Sequence, residues 1–383
     1  MNSTERIMAV LRFERPDRQP IMDMGYWDET MARWVQEGLP PHLVQTPPGD
    51  YLPGVDLRTY WGGDYDNRMG IMQLEDHFGI EHWLVPPRLP IIDTVFPFFE
   101  PQILEEKAET VVVRDRLGTT LEKPRHGTAF PRFVQFPVRD EADYDALRPQ
   151  LDPDTSGRYC RGWDLWADHL LAKGQPLCIW FRGFFGWPRD LLGFEELCTA
   201  YYLKAALVER IVQDRCDFIK RLFAPALQRY PIQCALIWED MAYNHGAMIS
   251  PKTFRRFMLP YYQEVNDFLH GHGVERVLVD SDGKILDLCA LFVQGRADGV
   301  YPLEIAAGSE AAILRERYPD LVLMGGVDKR ALAAGPAAID RELERLAPVV
   351  ERGGFLPMVD HLVPPDVSLE NYLYYLQRRK EIF

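Results

Sequence analysis

Late in the chain, short apolar runs repeatedly end in acid. Glu239-Asp240 follows Ala235–Trp238, Asp280-Ser281-Asp282-Gly283 follows Arg276–Val279, and Glu304, Asp328 and Asp360-His361 close three more runs. Carboxylates gathered on one surface repel each other unless protons or a cation share the space. The set therefore points to general acid–base chemistry or to a bound divalent ion. Glu239, Asp280, Asp282 and His361 are the candidate metal ligands, since carboxylate oxygens with one imidazole suit zinc or a harder divalent ion. Asp240 and His245, the latter in a Tyr-Asn-His-Gly loop, are the candidate proton carriers. Each acid taken alone also has a simpler reading, because helix N-termini favour carboxylates. Asp328, followed by Lys329-Arg330, fits capping or local pairing at least as well as catalysis.

A second group surrounds Trp180-Phe181-Arg182-Gly183-Phe184-Phe185-Gly186-Trp187. Arg182 is a candidate catalytic residue, its planar fork matching a substrate carboxylate, with a salt bridge to a rim acid as the alternative. Phe184 and Trp187, with Tyr26, Trp27 and Glu304, are the candidate substrate-binding positions. Aromatic residues are also dense at Tyr60, Trp61, Tyr65, Phe78 and Trp83, but at 12% of the chain most belong to the core.

Such side chains need a scaffold that brings strand ends together. Apolar, β-rich runs occur at Leu177–Arg182, Ala235–Asp240, Arg276–Asp280, Gly299–Glu304, Leu321–Asp328 and Phe355–Asp360, and an early one at Ile21–Met24. Between the later runs lie amphipathic stretches at Phe194–Leu222, Ser250–His272, Ala337–Arg352 and Ser368–Lys380, and an opening helix covers Ser3 to Phe13. Ser250-Pro251 and Ser368 are placed to cap two of these helices. Strand–helix alternation predicts a parallel sheet. An α/β barrel is expected, with an eighth strand hidden in the irregular N-terminal part; the alternative, an open doubly wound sheet, lacks a GxGxxG or Walker loop. Thr110–Glu122 reads as a hairpin within a cap over the barrel mouth.

Composition removes other classes. The 383 residues are 47% hydrophobic and 26% charged, enough to bury a full core, and a net charge of −14 argues against a bulk nucleic-acid or anionic-membrane surface. No run of about 18 apolar residues is present, and Met1 to Arg18 has no apolar signal core. The 6 cysteines are scattered without a CxxC pair, so buried thiols and a cytoplasmic setting are expected. A homo-oligomer is compatible with all of this.

The opening Thr4-Glu5-Arg6-Ile7-Met8-Ala9-Val10-Leu11 with Arg15-Pro16-Asp17-Arg18-Gln19-Pro20 resembles the start of the uroporphyrinogen decarboxylase superfamily. Phe78-Gly79-Ile80, Gly325-Gly326-Val327-Asp328-Lys329 and the closing Gly353-Gly354-Phe355 to Asn371-Tyr372 are similar too, so the resemblance spans the chain. It implies a single (β/α)8 TIM-barrel domain over 1–383, irregular with a cap over 1–155 and regular over 156–383. It also implies one of two chemistries: cofactor-free decarboxylation of porphyrinogen acetates, or zinc-dependent methyl transfer to or from cobalamin. Met22-Asp23-Met24-Gly25-Tyr26-Trp27 stands where the decarboxylases carry an Arg-Gln-Ala-Gly-Arg signature, and an acidic rim mismatches a polycarboxylate. The methyltransferases' His-x-Cys-Gly turn and late Cys are replaced by Asp280-Ser281-Asp282-Gly283 and His361. The resulting expectation is a corrinoid-dependent methyltransferase, aided by zinc or another divalent metal, that acts on a small methylated compound such as a methoxyaromatic. Its cobalamin would come on a separate corrinoid protein, because the chain has no Asp-x-His-x-x-Gly motif. A metal-free carboxy-lyase is the alternative, and a non-enzymatic binding protein the third.

Overall fold

The computed structural model describes residues 1–46, 49–82, 87–125 and 131–383; Trp83 lies outside them. In the N-terminal part β1 (Gln102–Glu106), β2 (Thr110–Arg114), β3 (Thr120–Pro124) and β4 (Arg132–Gln135) form an antiparallel sheet in that order. The expected hairpin is its middle pair. Asp115 shapes the turn, its carboxylate accepting from the N–H groups of Leu117 (2.9 Å) and Thr119 (2.8 Å).

After residue 160 the expected alternation holds. Strands β5 (Cys178–Arg182), β6 (Cys234–Trp238), β9 (Arg276–Asp280), β10 (Gly299–Leu303), β11 (Val322–Val327) and β12 (Phe355–Val359) form one parallel sheet, ordered β12-β11-β10-β9-β6-β5. A small hairpin, β7 (Ala242–Tyr243) and β8 (Gly246–Ala247), leaves the end of β6. Ser250 and Ser368 cap their helices by accepting from Thr253 N and Asn371 N. The stretch read as one helix over Ser250–His272 is two, Pro251–Phe257 and Leu259–Gly271. Pro260 explains the break, since a residue without an N–H starts a helix better than it continues one.

Ile21–Met24 does not join the ladder as a strand, which corrects the sequence reading. Ile21 N donates to Glu81 Oε2 (2.7 Å) and the Ile21 carbonyl accepts from Glu81 N (2.7 Å), while Asp23 Oδ1 accepts from Val359 N (2.8 Å). Gly25 then turns the chain at φ +108°, where a Cβ would sit 2.7 Å from Ile71 Cδ1. At the two edges of the six-stranded sheet, among the described residues, single bridges form: Arg88 with Cys178 beside β5, and Tyr26 with Val363 just beyond β12. The closing helix, Leu369–Ile382, secures the second edge. Arg379 donates to the carbonyls of Pro20 (3.0 Å), Met22 (3.0 Å) and Pro357 (2.5 Å), while Tyr372 donates to Asp23 Oδ2 (2.8 Å).

Strand alternation gives the sheet two apolar faces. Ile179, Phe181, Ala235, Ile237, Val277 and Val279 pack with the helices in the large core. Cys178, Cys234, Leu236, Leu278, Met324 and Met358 face a second, smaller core completed by Ile7, Met8, Val10 and Leu11 of the first helix, Ser3–Leu11. That helix covers the amino-terminal end of the inner face. The polar row described below occupies the other end.

The helix Tyr65–Phe78 is tied to the chain that follows by His82, whose Nδ1 lies 2.6 Å from Glu75 Oε2 and Nε2 2.8 Å from Asp76 Oδ1. Burial opposes charge on the imidazole, but the two carboxylates outweigh it and hold its pKa up at about 9. A histidine raised in the folded state contributes fully below its unfolded value, ~6.5, and loses that contribution as pH rises through the folded one. Urea denaturation between pH 6 and pH 10 is expected to show roughly 2 kcal/mol of stability lost across that window, and His82→Gln to flatten the slope. An unchanged slope in the variant would rule out this role.

Candidate active site

The inner face ends in one polar row. Register places Arg182 (β5) beside Trp238 (β6), Trp238 beside Asp280 (β9), and Asp280 beside Tyr301 (β10). In a parallel sheet, residues in register share a face, so the row lines the carboxyl ends of β5, β6 and β9 and the middle of β10. Burial, with Asp282 and Asp240 close by, holds the Asp280 carboxyl well above the usual carboxylate range, and Arg88 only partly offsets this. These surroundings shift Asp280 toward its protonated form.

Glu239 is not available to an ion. Its Oε1 accepts from Phe184 N (2.8 Å) and the Tyr262 hydroxyl (2.5 Å), and its Oε2 from Phe185 N (2.7 Å) and Gly186 N (2.7 Å). The turn after β5 therefore wraps a fully buried carboxylate. Gly183 is required there, because a Cβ would lie 2.1 Å from Glu239 Oε1. Phe184 packs on Tyr261 and Tyr262, and Trp187 lies under the Arg215 guanidinium. Both are buried, as is Tyr26, whose hydroxyl meets that of Tyr372 at 2.9 Å amid Trp34 and Phe78. These three aromatics, expected to contact substrate, are core residues.

Arg182 takes the salt-bridge reading. Its guanidinium donates to Asp190 Oδ2 (2.6 Å) and Asp93 Oδ1 (3.1 Å) and lies over Trp180 and Trp238. Asp93 also accepts from Arg182 N (2.9 Å) and Arg215 Nη2 (2.5 Å), and these cations hold its carboxyl low despite burial.

The remaining acids fall into two groups, each with its own cation. Asp240, at φ +53°, accepts from Arg189 through its carbonyl (2.6 Å) and Oδ2 (3.3 Å). Burial and then Asp282 raise its carboxyl. Asp282 lies 3.5 Å from His361 Nε2. Burial opposes charge on His361, but Asp282 raises its pKa overall, and the ring stacks on Trp27. In the second group Lys329 Nζ lies 3.3 Å from Glu304 and 3.5 Å from Asp360. Glu304 also accepts from Gly283 N (2.8 Å), and Asp360 from Ile305 N (3.0 Å) and Lys329 N (3.2 Å). Asp328 caps Lys329–Ala334 and pairs with Arg330. His245 sits exposed on the β7–β8 turn against Tyr243 and is not brought to either group.

The rim's negative charge is thus met by Arg189, His361, Lys329 and Arg330. Among the described residues no three His, Cys, Asp or Glu side chains converge as an ion would require. With Glu239 saturated by four donors, the set Glu239, Asp280, Asp282 and His361 does not fit zinc.

Beside the row lies a cavity of about 170 Å³, lined by Tyr60, Trp61, Arg68, Arg88, Arg116 and Trp180 among others. Sequence reading missed Asp93 and three of the cavity's arginines because they come from irregular N-terminal chain, where periodicity assigns no face. The only signal was the mixture of arginine and aromatic residues.

Comparison with known proteins places this site in a lineage. The family model for uroporphyrinogen decarboxylase (URO-D) matches residues 108–382. The chain belongs to that family. Curated relatives named uroporphyrinogen decarboxylase include one from a Geobacter species, 25% identical over 264 residues (64% of this chain and 71% of the relative), and one from Nocardia farcinica, 28% identical over 240 residues (60% and 63%). A solved methyltransferase from Methanosarcina mazei shares the fold, with a TM-score of 0.63 at 15% identity over 100% of this chain and 99% of that one. Among the described residues no helix is long and apolar enough to cross a membrane.

The saturated carboxylate gives a direct test. Glu239→Gln puts an amide N–H₂ against donors that need an acceptor, and unfolding is expected to become easier by about 3 kcal/mol. Denaturant titration checks it; a change below ~0.5 kcal/mol would mean Glu239 does not brace the turn.

Proposed function

We propose that this URO-D family member is a metal-independent enzyme that exchanges a proton with a small organic acid at Asp280, in the manner of a carboxy-lyase. The observation that carries the reading is a half-buried carboxyl set in register between Trp238 and Tyr301, which desolvation and two neighbouring acids shift toward its protonated form. General acids work best when their pKa approaches the working pH. The bond to the departing carboxylate breaks, CO₂ leaves, and the electron pair stays on carbon, which takes the proton from Asp280. Solvent restores that proton, with Asp240 and Asp282 the neighbouring acids. The names of the curated relatives support a carboxy-lyase, but a cavity of about 170 Å³ lies well below the ~300 Å³ at which drug-sized sites begin. A tetrapyrrole is much larger than this cavity, which favours a far smaller acid as substrate.

We also read the six-stranded sheet as part of a closed (β/α)8 barrel. Glu81 N donates to the Ile21 carbonyl (2.7 Å) and Leu89 N to that of Cys178 (3.0 Å), so irregular chain continues the sheet between its edges. A cytoplasmic setting suits its buried free thiols. A second reading keeps methyl transfer to cobalamin on a separate corrinoid protein. It rests on the likeness to the Methanosarcina mazei methyltransferase and on the His361–Asp282 pair at the mouth.

Screening small carboxylic acids for CO₂ release, with deuterium uptake in D₂O, is expected to yield a substrate turned over unchanged after EDTA dialysis. Asp280→Asn should slow that turnover about 100-fold or more. Activity lost to EDTA and restored by zinc, with methyl transfer to added cob(I)alamin, would favour the second reading.

A further inference from the structure

The cavity beside Asp280 holds more positive charge than its own residues neutralise. Its lining brings Arg68, Arg88, Arg116 and Arg182 together with Asp64 and Asp93. Arg182 and Asp93 are bound to each other. Arg116 turns its guanidinium to the carbonyls of Thr59 (2.9 Å) and Tyr60 (3.2 Å), leaving Asp64 nearby. Arg68 and Arg88 remain. Among the described residues neither has a carboxylate within ion-pair distance; burial pushes the Arg68 pKa down, and nearby Arg88 adds to that shift. Three polar atoms of lining side chains also have no hydrogen-bond partner: Arg88 Nε, Trp180 Nε1 and Thr94 Oγ1. Thr94 is only 7% exposed.

Neighbouring guanidiniums in a confined space are costly without an anion between them. Unpaired buried donors add to the cost. The remaining walls are aromatic: Tyr60, Trp61, Phe98 and Trp180, with Arg88 lying over the Trp180 ring at 5.0 Å. Flat walls and forked donors select a planar ligand with a planar anionic group. Arg88 also faces Asp280, so a ligand seated here reaches the proposed acid.

We infer that Arg68 and Arg88 form a carboxylate-binding subsite that anchors a small aromatic or conjugated dicarboxylic acid, one carboxylate held by the two guanidiniums and the other presented over Asp280. The inference rests on the proton-transfer reading above and adds the class of substrate. The anchored carboxylate is the one that stays. The reacting one sits among Trp238, Tyr301 and Asp280, where its carbon, on losing CO₂, takes the proton from Asp280.

Isothermal titration with benzene-1,3-dicarboxylate, benzoate and inorganic phosphate tests it on the whole chain. Wild type is expected to bind the dicarboxylate, and Arg68→Gln and Arg88→Gln to weaken it at least tenfold. Arg88→Lys should weaken it too, because a point charge lacks the fork. Circular dichroism melting of each variant separates lost binding from lost folding. Asp280→Asn is expected to bind within about threefold of wild type while failing to release CO₂ from substrate. Unchanged affinity in folded arginine variants overturns the subsite, as does phosphate binding as tightly as the dicarboxylate. Retained CO₂ release in Asp280→Asn, with arginine-dependent binding intact, overturns the proton-transfer reading and leaves the subsite standing.

Discussion

The Asp93 carboxylate joins the two unlike halves of this molecule. It comes from irregular N-terminal chain, yet it accepts from the backbone and guanidinium of Arg182 at the end of β5 and from Arg215 on the long helix Ala205–Arg229. A buried charge is tolerated only with partners this close, so the three groups fix one another's positions. Arg182 is thereby drawn away from free solvent and laid over Trp180 and Trp238, which shapes one wall of the cavity. That pairing, together with the Arg88–Cys178 bridge, holds the N-terminal chain against β5.

The same economy governs the rim. Read as letters, its acids invite a metal; read as neighbours, each has a local answer. Glu239 is consumed by a turn, Asp328 by a helix start and Arg330, and Glu304 with Asp360 by Lys329. Among the described residues Asp280 is left without an ion-pair partner, and its surroundings shift it toward the protonated form. Neutralisation by protonation is the usual outcome for an unpaired carboxyl out of water.

How much of this was legible in the sequence depends on periodicity. The six later strands, their acidic ends and the caps at Ser250 and Ser368 all follow from local patterns and are found where expected. The hairpin around Asp115 follows from turn chemistry. Ile21–Met24 misled because its apolar residues satisfy burial without a ladder, through Glu81 and Asp23. Phe184 and Trp187 misled because adjacency to a strand end says nothing of which way the following turn folds; Glu239 decides that, from 55 residues downstream of Phe184. The basic cavity was invisible for the same reason: its arginines meet only in space.

The first helix has a further consequence. Its Ile7, Met8, Val10 and Leu11 fill the amino-terminal end of the inner face with apolar side chains, so ionic groups are kept from one end of the sheet and its polar character is concentrated at the opposite one.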